Sequence, residues 1–121
     1  MMTVRELRIR TGLTQKEFSL KYNIPFGTLA DWEIGRTKPK PYILNLLERF
    51  VTEDEDATFK KPIVYGVNFS RLLDITRMSK AEFARRYGIN QSTVRMWDKN
   101  DNSWRINLLE RAVREDIALG K

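Results

Sequence analysis

The chain has no cysteine and no histidine among its 121 residues. These two absences together remove disulfides, thiol nucleophiles, imidazole bases and the ordinary zinc ligands. Prolines number only 4 and glycines 6, while 41% of residues are hydrophobic and 31% charged, so most of the chain is expected to fold. No apolar run approaches the length of a membrane span, and the start Met1-Met2-Thr3-Val4-Arg5-Glu6 has no apolar segment behind its charges. The expectation is a cytoplasmic protein with no membrane partner. Concentrated carboxylates occur only at 53–56, so catalytic residues, a cofactor and a metal are not expected.

What is present is an excess of positive charge. Lys and Arg number 22 against 16 Asp and Glu, a net +6. Residues 1–51 carry 9 basic and 5 acidic side chains, residues 52–62 carry 2 and 4, and residues 63–121 carry 11 and 7. Two basic blocks flank an acidic joint, a distribution that suits a polyanionic partner.

The chain also repeats itself. Glu17-Phe18-Ser19-Leu20-Lys21-Tyr22-Asn23-Ile24 lies over Glu82-Phe83-Ala84-Arg85-Arg86-Tyr87-Gly88-Ile89 at a shift of 65. Leu7, Thr11, Leu13 and Thr14 fall on Leu72, Thr76, Met78 and Ser79, and Thr28, Leu29, Trp32 and Glu33 on Thr93, Val94, Trp97 and Asp98. Further on, Asn45-Leu46-Leu47-Glu48-Arg49 returns as Asn107-Leu108-Leu109-Glu110-Arg111 at a shift of 62. The second copy has therefore lost three residues between its Trp and its last helix.

Caps and periodicity predict the elements. Thr3-x-x-Glu6 and Thr14-x-x-Glu17 are capping boxes, Gly12 and Asn23 are stops, and Pro25 sets the entry to a third helix. Helices follow at 4–11, 15–22 and 26–34. In the second copy Asn68 caps 69–76, a Ser79-x-x-Glu82 box starts 80–87, Gly88 is the stop and Asn90 caps 91–99. A fourth helix runs from about Pro41 to Val51, and its counterpart from about Ser103 toward Leu119. The fold expected is all-α, with two domains of about four helices at 1–51 and 63–121. The run Thr52-Glu53-Asp54-Glu55-Asp56-Ala57-Thr58 opens an acidic linker at 52–62, read as a solvated connector because like charges repel. The short apolar stretch Ile63-Val64-Tyr65-Gly66-Val67 suits packing between the copies.

Leu13-Thr14-Gln15-Lys16-Glu17-Phe18, followed by Ile24-Pro25, Thr28-Leu29, Trp32-Glu33, Gly35 and Pro39, resembles the phage-repressor or Xre-type (lambda-repressor-like) helix-turn-helix family. The resemblance covers residues 3–51 well and 68–117 more loosely. It implies a second helix crossing the phosphate backbone and a third lying in the major groove of double-stranded DNA. It also implies an ion pair between Arg8 and Glu33, replaced by Leu73 and Asp98 in the second copy, where Asp98 should be exposed or met by a cation such as Arg77.

The base-reading positions the resemblance implies hold Phe26, Gly27 and Asp31 in the first copy, and Gln91, Ser92 and Met96 in the second. Gln bonds adenine, Ser donates or accepts, Met meets a thymine methyl and Arg95 reaches guanine or phosphate. The second copy thus carries reader chemistry, whereas Phe26 and Gly27 offer little hydrogen bonding. Phosphate contacts are assigned to Gln15, Thr28, Arg36, Lys38 and Lys40 in the first copy, and to Lys80, Arg85, Thr93 and Lys99 in the second. The aromatic residues are read as core and not as base-stacking platforms.

The function these readings favour is a sequence-specific DNA-binding transcriptional regulator, a repressor of phage or mobile-element type, with a homodimer possible. The alternative is a protein-binding module, either antitoxin-like or an inhibitor of a host nucleic-acid enzyme, favoured by Phe26 beside small residues. RNA fits less well, because the A-form major groove is too narrow for a helix.

Overall fold

A computed structural model describes residues 3–55 and 66–120. Among them all regular structure is helical: α1 (Val4–Thr11), α2 (Gln15–Tyr22), α3 (Phe26–Ile34), α4 (Pro41–Asp54), α5 (Phe69–Thr76), α6 (Lys80–Tyr87), α7 (Gln91–Met96) and α8 (Trp104–Ala118). The chain divides into two compact units, Met1–Val64 and Tyr65–Lys121, each holding four of these helices.

Five of these eight helix starts are fixed by side chains that take up backbone N–H groups left without partners. The hydroxyls of Thr3 and Thr14 accept from the N–H groups of Glu6 and Glu17, and each glutamate accepts in return from the backbone N–H of its threonine. Those hydrogen bonds hold both glutamates below the usual carboxylate pKa. In unit 2, Asn68 and Asn90 cap α5 and α7. Ser79 accepts from Glu82 N–H as expected, but its own hydroxyl donates to the Glu82 carboxylate, so this box differs from the two in unit 1. Asn23 and Gly88 end α2 and α6 in left-handed conformations, at φ 54° and 68°.

The core of unit 1 forms around Phe18, Leu7, Leu29, Leu47 and Phe50, all fully buried. In unit 2, Phe69, Leu72, Phe83, Val94 and Leu109 do the same, and Phe69 meets the edges of both Phe83 and Trp97 at ring distances of 5.8 and 5.2 Å. Phe18, Tyr22, Phe69 and Phe83 are therefore core, Trp32 and Trp97 are half-buried, and Phe26 is exposed. Truncating Phe18 or Phe83 to alanine should cost about 3–5 kcal/mol.

Two element ends differ from the sequence expectation. Helix α4 continues past Val51 to Asp54, so the first residues of the acidic run are helical and docked on unit 1. Glu53 lies 3.5 Å from Arg49, Asp54 accepts from Tyr22 and lies 3.6 Å from Lys21, and Glu55 is paired with Arg10, which also donates to Thr52. Repulsion within the run is thus offset by cations from α1, α2 and α4 itself. Helix α7 ends at Met96, not at 99, because Trp97 is extended (φ −71°, ψ 132°). The following loop turns through Asp98, which accepts from Asn100 N–H, and its Lys99 and Asp101 carbonyls accept from the N–H groups of Ser70 and Phe69. The loop consequently closes the start of α5. Of the apolar stretch at 63–67, residues 63–65 lie outside the described residues, while Val67 N–H donates to the fully buried carboxylate of Glu110.

Candidate nucleic-acid interface

In unit 1, α2 and α3 are joined by a tight turn at Asn23, and Phe18, Tyr22, Ile24 and Leu29 hold the two helices on one core. The outward side of α3 presents Phe26, Gly27, Ala30, Asp31 and Ile34. Phe26 is 52% exposed and Ile34 67%, and on α2 Leu20 is 55% exposed. Asp31, assigned to base contact, lies 3.6 Å from Arg36, assigned to phosphate. Lys38 and Lys40 are exposed in the loop that leads into α4.

Behind α3 stands a bidentate ion pair. Arg8 donates through Nε and Nη2 to the two Glu33 oxygens at 2.7 and 2.8 Å, and its Nη1 donates to the Leu13 carbonyl at 3.1 Å. The Glu33 side chain is only 4% exposed. Its carboxyl is held below the ordinary range chiefly by Arg8 and then by the Gln15 side chain, while Glu33 raises the Arg8 guanidinium in turn. One pair thereby ties α1, the α1–α2 turn, the start of α2 and the end of α3. Gln15 stands at the first turn of α2 with its side chain turned to Glu33, not simply outward.

In unit 2 the corresponding faces are polar apart from Met96. Lys80 and Arg85 are exposed on α6, and Gln91, Ser92, Arg95 and Met96 are exposed on α7, Met96 at 86%. Thr28 and Thr93 are half-buried near the starts of α3 and α7. Lys99 is exposed but sits in the loop after α7, off the helix. Asp98 is exposed, and lies beyond the end of α7, whereas Glu33 lies on α3. It cannot take the place of Glu33 facing the core, and Leu73 replaces Arg8.

Position by position, Leu20, Phe26, Ala30 and Ile34 of unit 1 are matched at a shift of 65 by Arg85, Gln91, Arg95 and Lys99 of unit 2. One unit offers apolar groups where the other offers donors and cations. Leu20 and Ile34 were not among the sequence candidates, although the repeat itself contained this contrast. Also unassigned was a contact present in both units: Tyr22 donates to Asp54, and Tyr87 to Asp116, each at 3.0 Å. Extending the shift of 62 past Arg49 finds it, because Glu53 and Asp54 then fall on Glu115 and Asp116.

These features define two helix-turn-helix domains in tandem. Residues 4–52 match a helix-turn-helix family model of the Xre or lambda-repressor-like kind. Residues 70–108 match a different model, that of the CENP-B N-terminal DNA-binding domain. No curated protein and no solved structure matches the chain. No helix among the described residues is long and apolar enough to cross a membrane.

Proposed function

We propose that the protein is a sequence-specific double-stranded-DNA-binding transcriptional regulator, acting as a repressor, in which unit 2 supplies most of the hydrogen-bonded base readout and unit 1 grips the backbone. The observation that carries this is the exposed row Arg85, Gln91, Ser92 and Arg95 on α6 and α7, standing outside a core that holds Phe69 and Phe83. Gln91 is suited to adenine and Arg95 to guanine. Lys38 and Lys40 in unit 1, with Lys80 in unit 2, are suited to phosphate. The experiment is binding to duplex DNA across a salt series. About six neutralised phosphates give a log–log slope near −5; a flat slope, or no binding at low salt, rejects this function.

A second reading is favoured by the exposed Leu20, Phe26 and Ile34: unit 1 as a protein-binding module of the antitoxin or inhibitor kind. Retention on duplex DNA that does not exceed retention on heparin at matched salt would favour it.

A further inference from the structure

We propose that unit 1 reads thymine: Phe26 and the apolar side of α3 seat against the C5 methyls of a thymine-bearing stretch of the major groove, with Gly27 letting the helix close on the groove floor. The inference rests on duplex DNA being the ligand, as proposed above. It goes further by giving a base preference to the unit whose reading positions lack hydrogen-bonding groups.

The apolar side comes first. Phe26, Ala30 and Ile34 recur every four residues and so line up along one side of α3, with Phe26 and Ile34 exposed and Ala30 half-buried. That stripe is ~12 Å long, three to four base steps at ~3.4 Å each. An apolar side chain exposed at the start of a recognition helix has one complementary group in the major groove, the methyl of thymine.

Gly27 is an independent observation. A Cβ there would meet nothing within 4 Å, and Gly27 is not among the glycines with positive φ. Nothing inside unit 1 requires glycine, which weakens a helix relative to alanine. A surface that comes close to the first turn of α3 from outside does require it.

Charge selects the kind of surface. The loop after α3 carries exposed Arg36, Lys38 and Lys40, and the Asp31 carboxylate lies beside Arg36. An apolar stripe next to a cationic loop complements a surface with anionic rails and a methyl-bearing floor. A second copy of unit 1 seated here would bring a second such loop to the same small contact and be repelled.

The test begins with a duplex selected from random DNA, in which thymines are then replaced by deoxyuridine. This removes the methyl and nothing else. Each contacted methyl lost should weaken binding by roughly three- to fourfold, and Phe26→Ala should abolish that sensitivity. Gly27→Ala should weaken binding about tenfold or more while leaving the thermal midpoint unchanged or higher, an outcome that poor folding cannot produce. If the uracil duplex binds as tightly as the thymine one, while Lys38→Ala still weakens both, thymine reading is overturned and DNA binding stands. Uracil effects that vanish in Met96→Ala but persist in Phe26→Ala belong to unit 2 and overturn it as well. So does a Phe26→Ala that breaks a dimer and leaves the selected site unchanged. Absence of duplex binding by the unmodified protein overturns this inference and the function beneath it together.

Discussion

The Tyr87 hydroxyl donates to the Asp116 carboxylate at 3.0 Å, and the Asp116 carboxylate lies 3.5 Å from Arg86, so the end of α8 is latched onto the end of α6. Tyr22, Asp54 and Lys21 repeat the arrangement in unit 1. Burial, and then the bond to Asp116, push the Tyr87 phenol up from 10.0 to about 12. The folded state favours the protonated phenol, so this contribution is complete below pH 10 and fades as the pH rises toward about 12. Tyr87→Phe should lower stability by about 1–2 kcal/mol at neutral pH. It should also flatten the alkaline limb of the stability curve. A tyrosinate absorbance titration beside thermal unfolding checks both, and Tyr87 ionising near the ordinary value of 10.0 would contradict the latch.

Arg8 and Glu33 make the corresponding case at acid pH. Glu33 is depressed below 4.5 chiefly by its hydrogen bonds to Arg8, so its contribution is present above the ordinary carboxylate range and lost as the pH falls through and below it. Arg8→Ala should destabilise unit 1 by about 3 kcal/mol, because it leaves a buried carboxylate without its cation. Glu33→Gln should flatten the acid limb. Hydrogen exchange resolved by unit is the measurement, and an equal loss of protection in unit 2 would count against the assignment.

Base readout and backbone grip should separate by mutation. Gln91→Ala or Ser92→Ala should relax preference at one or two base positions by about 1–3 kcal/mol each, whereas Lys38→Ala should weaken all sequences alike. Site selection with each variant decides the matter. A Gln91→Ala protein that selects the original site unchanged would sink the assignment of readout to unit 2.

The acidic run should behave as part of unit 1. Deleting 53–55 removes the partners of Arg49, Lys21, Tyr22 and Arg10, and should lower the stability of unit 1. A deletion of three residues within 57–62 spares those partners and changes only the connection between α4 and α5, residues 55–68. At roughly 3.5 Å per residue that connection can exceed the ~34 Å between successive major-groove faces. One chain using both units should therefore select two dissimilar half-sites and bind them one to one. A palindrome bound by two chains, indifferent to the second deletion, would reject that arrangement.

Much of this was legible in the sequence because the signals are local. Thr3, Thr14, Asn68, Ser79 and Asn90 mark helix starts through hydrogen bonds within three residues, and the repeat transferred each start to the other copy. The errors arose where a distant partner decides. The carboxylates at 53–55 read as a connector in isolation, and only the fold brings Arg10 and Lys21 beside them. Likewise α7 stops at Met96 because a loop has been recruited to the start of α5, a role no residue in 97–101 announces by itself. The outward residues of α3 and α7 were legible as positions, but the exposure of Leu20 and Ile34 depends on what the core leaves uncovered.

Helix α4 carries its charges in the order its own dipole disfavours, with Lys38 and Lys40 ahead of its first turn and Glu53, Asp54 and Glu55 at its last, some 20 Å away. The macrodipole would be better served by the reverse. Glu53, Asp54 and Glu55 are matched by Arg49, Lys21 and Arg10, so that end is close to neutral. What the arrangement leaves is a positive end at Lys38 and Lys40, which the field of a polyanion turns forward. A protein so polarised meets a duplex already facing it, and fewer encounters are spent on wrong orientations. Its association rate should then fall with added salt more steeply than its net charge alone requires. Exchanging the two ends' charges at constant total should slow capture while leaving the dissociation rate of the finished complex the less affected quantity.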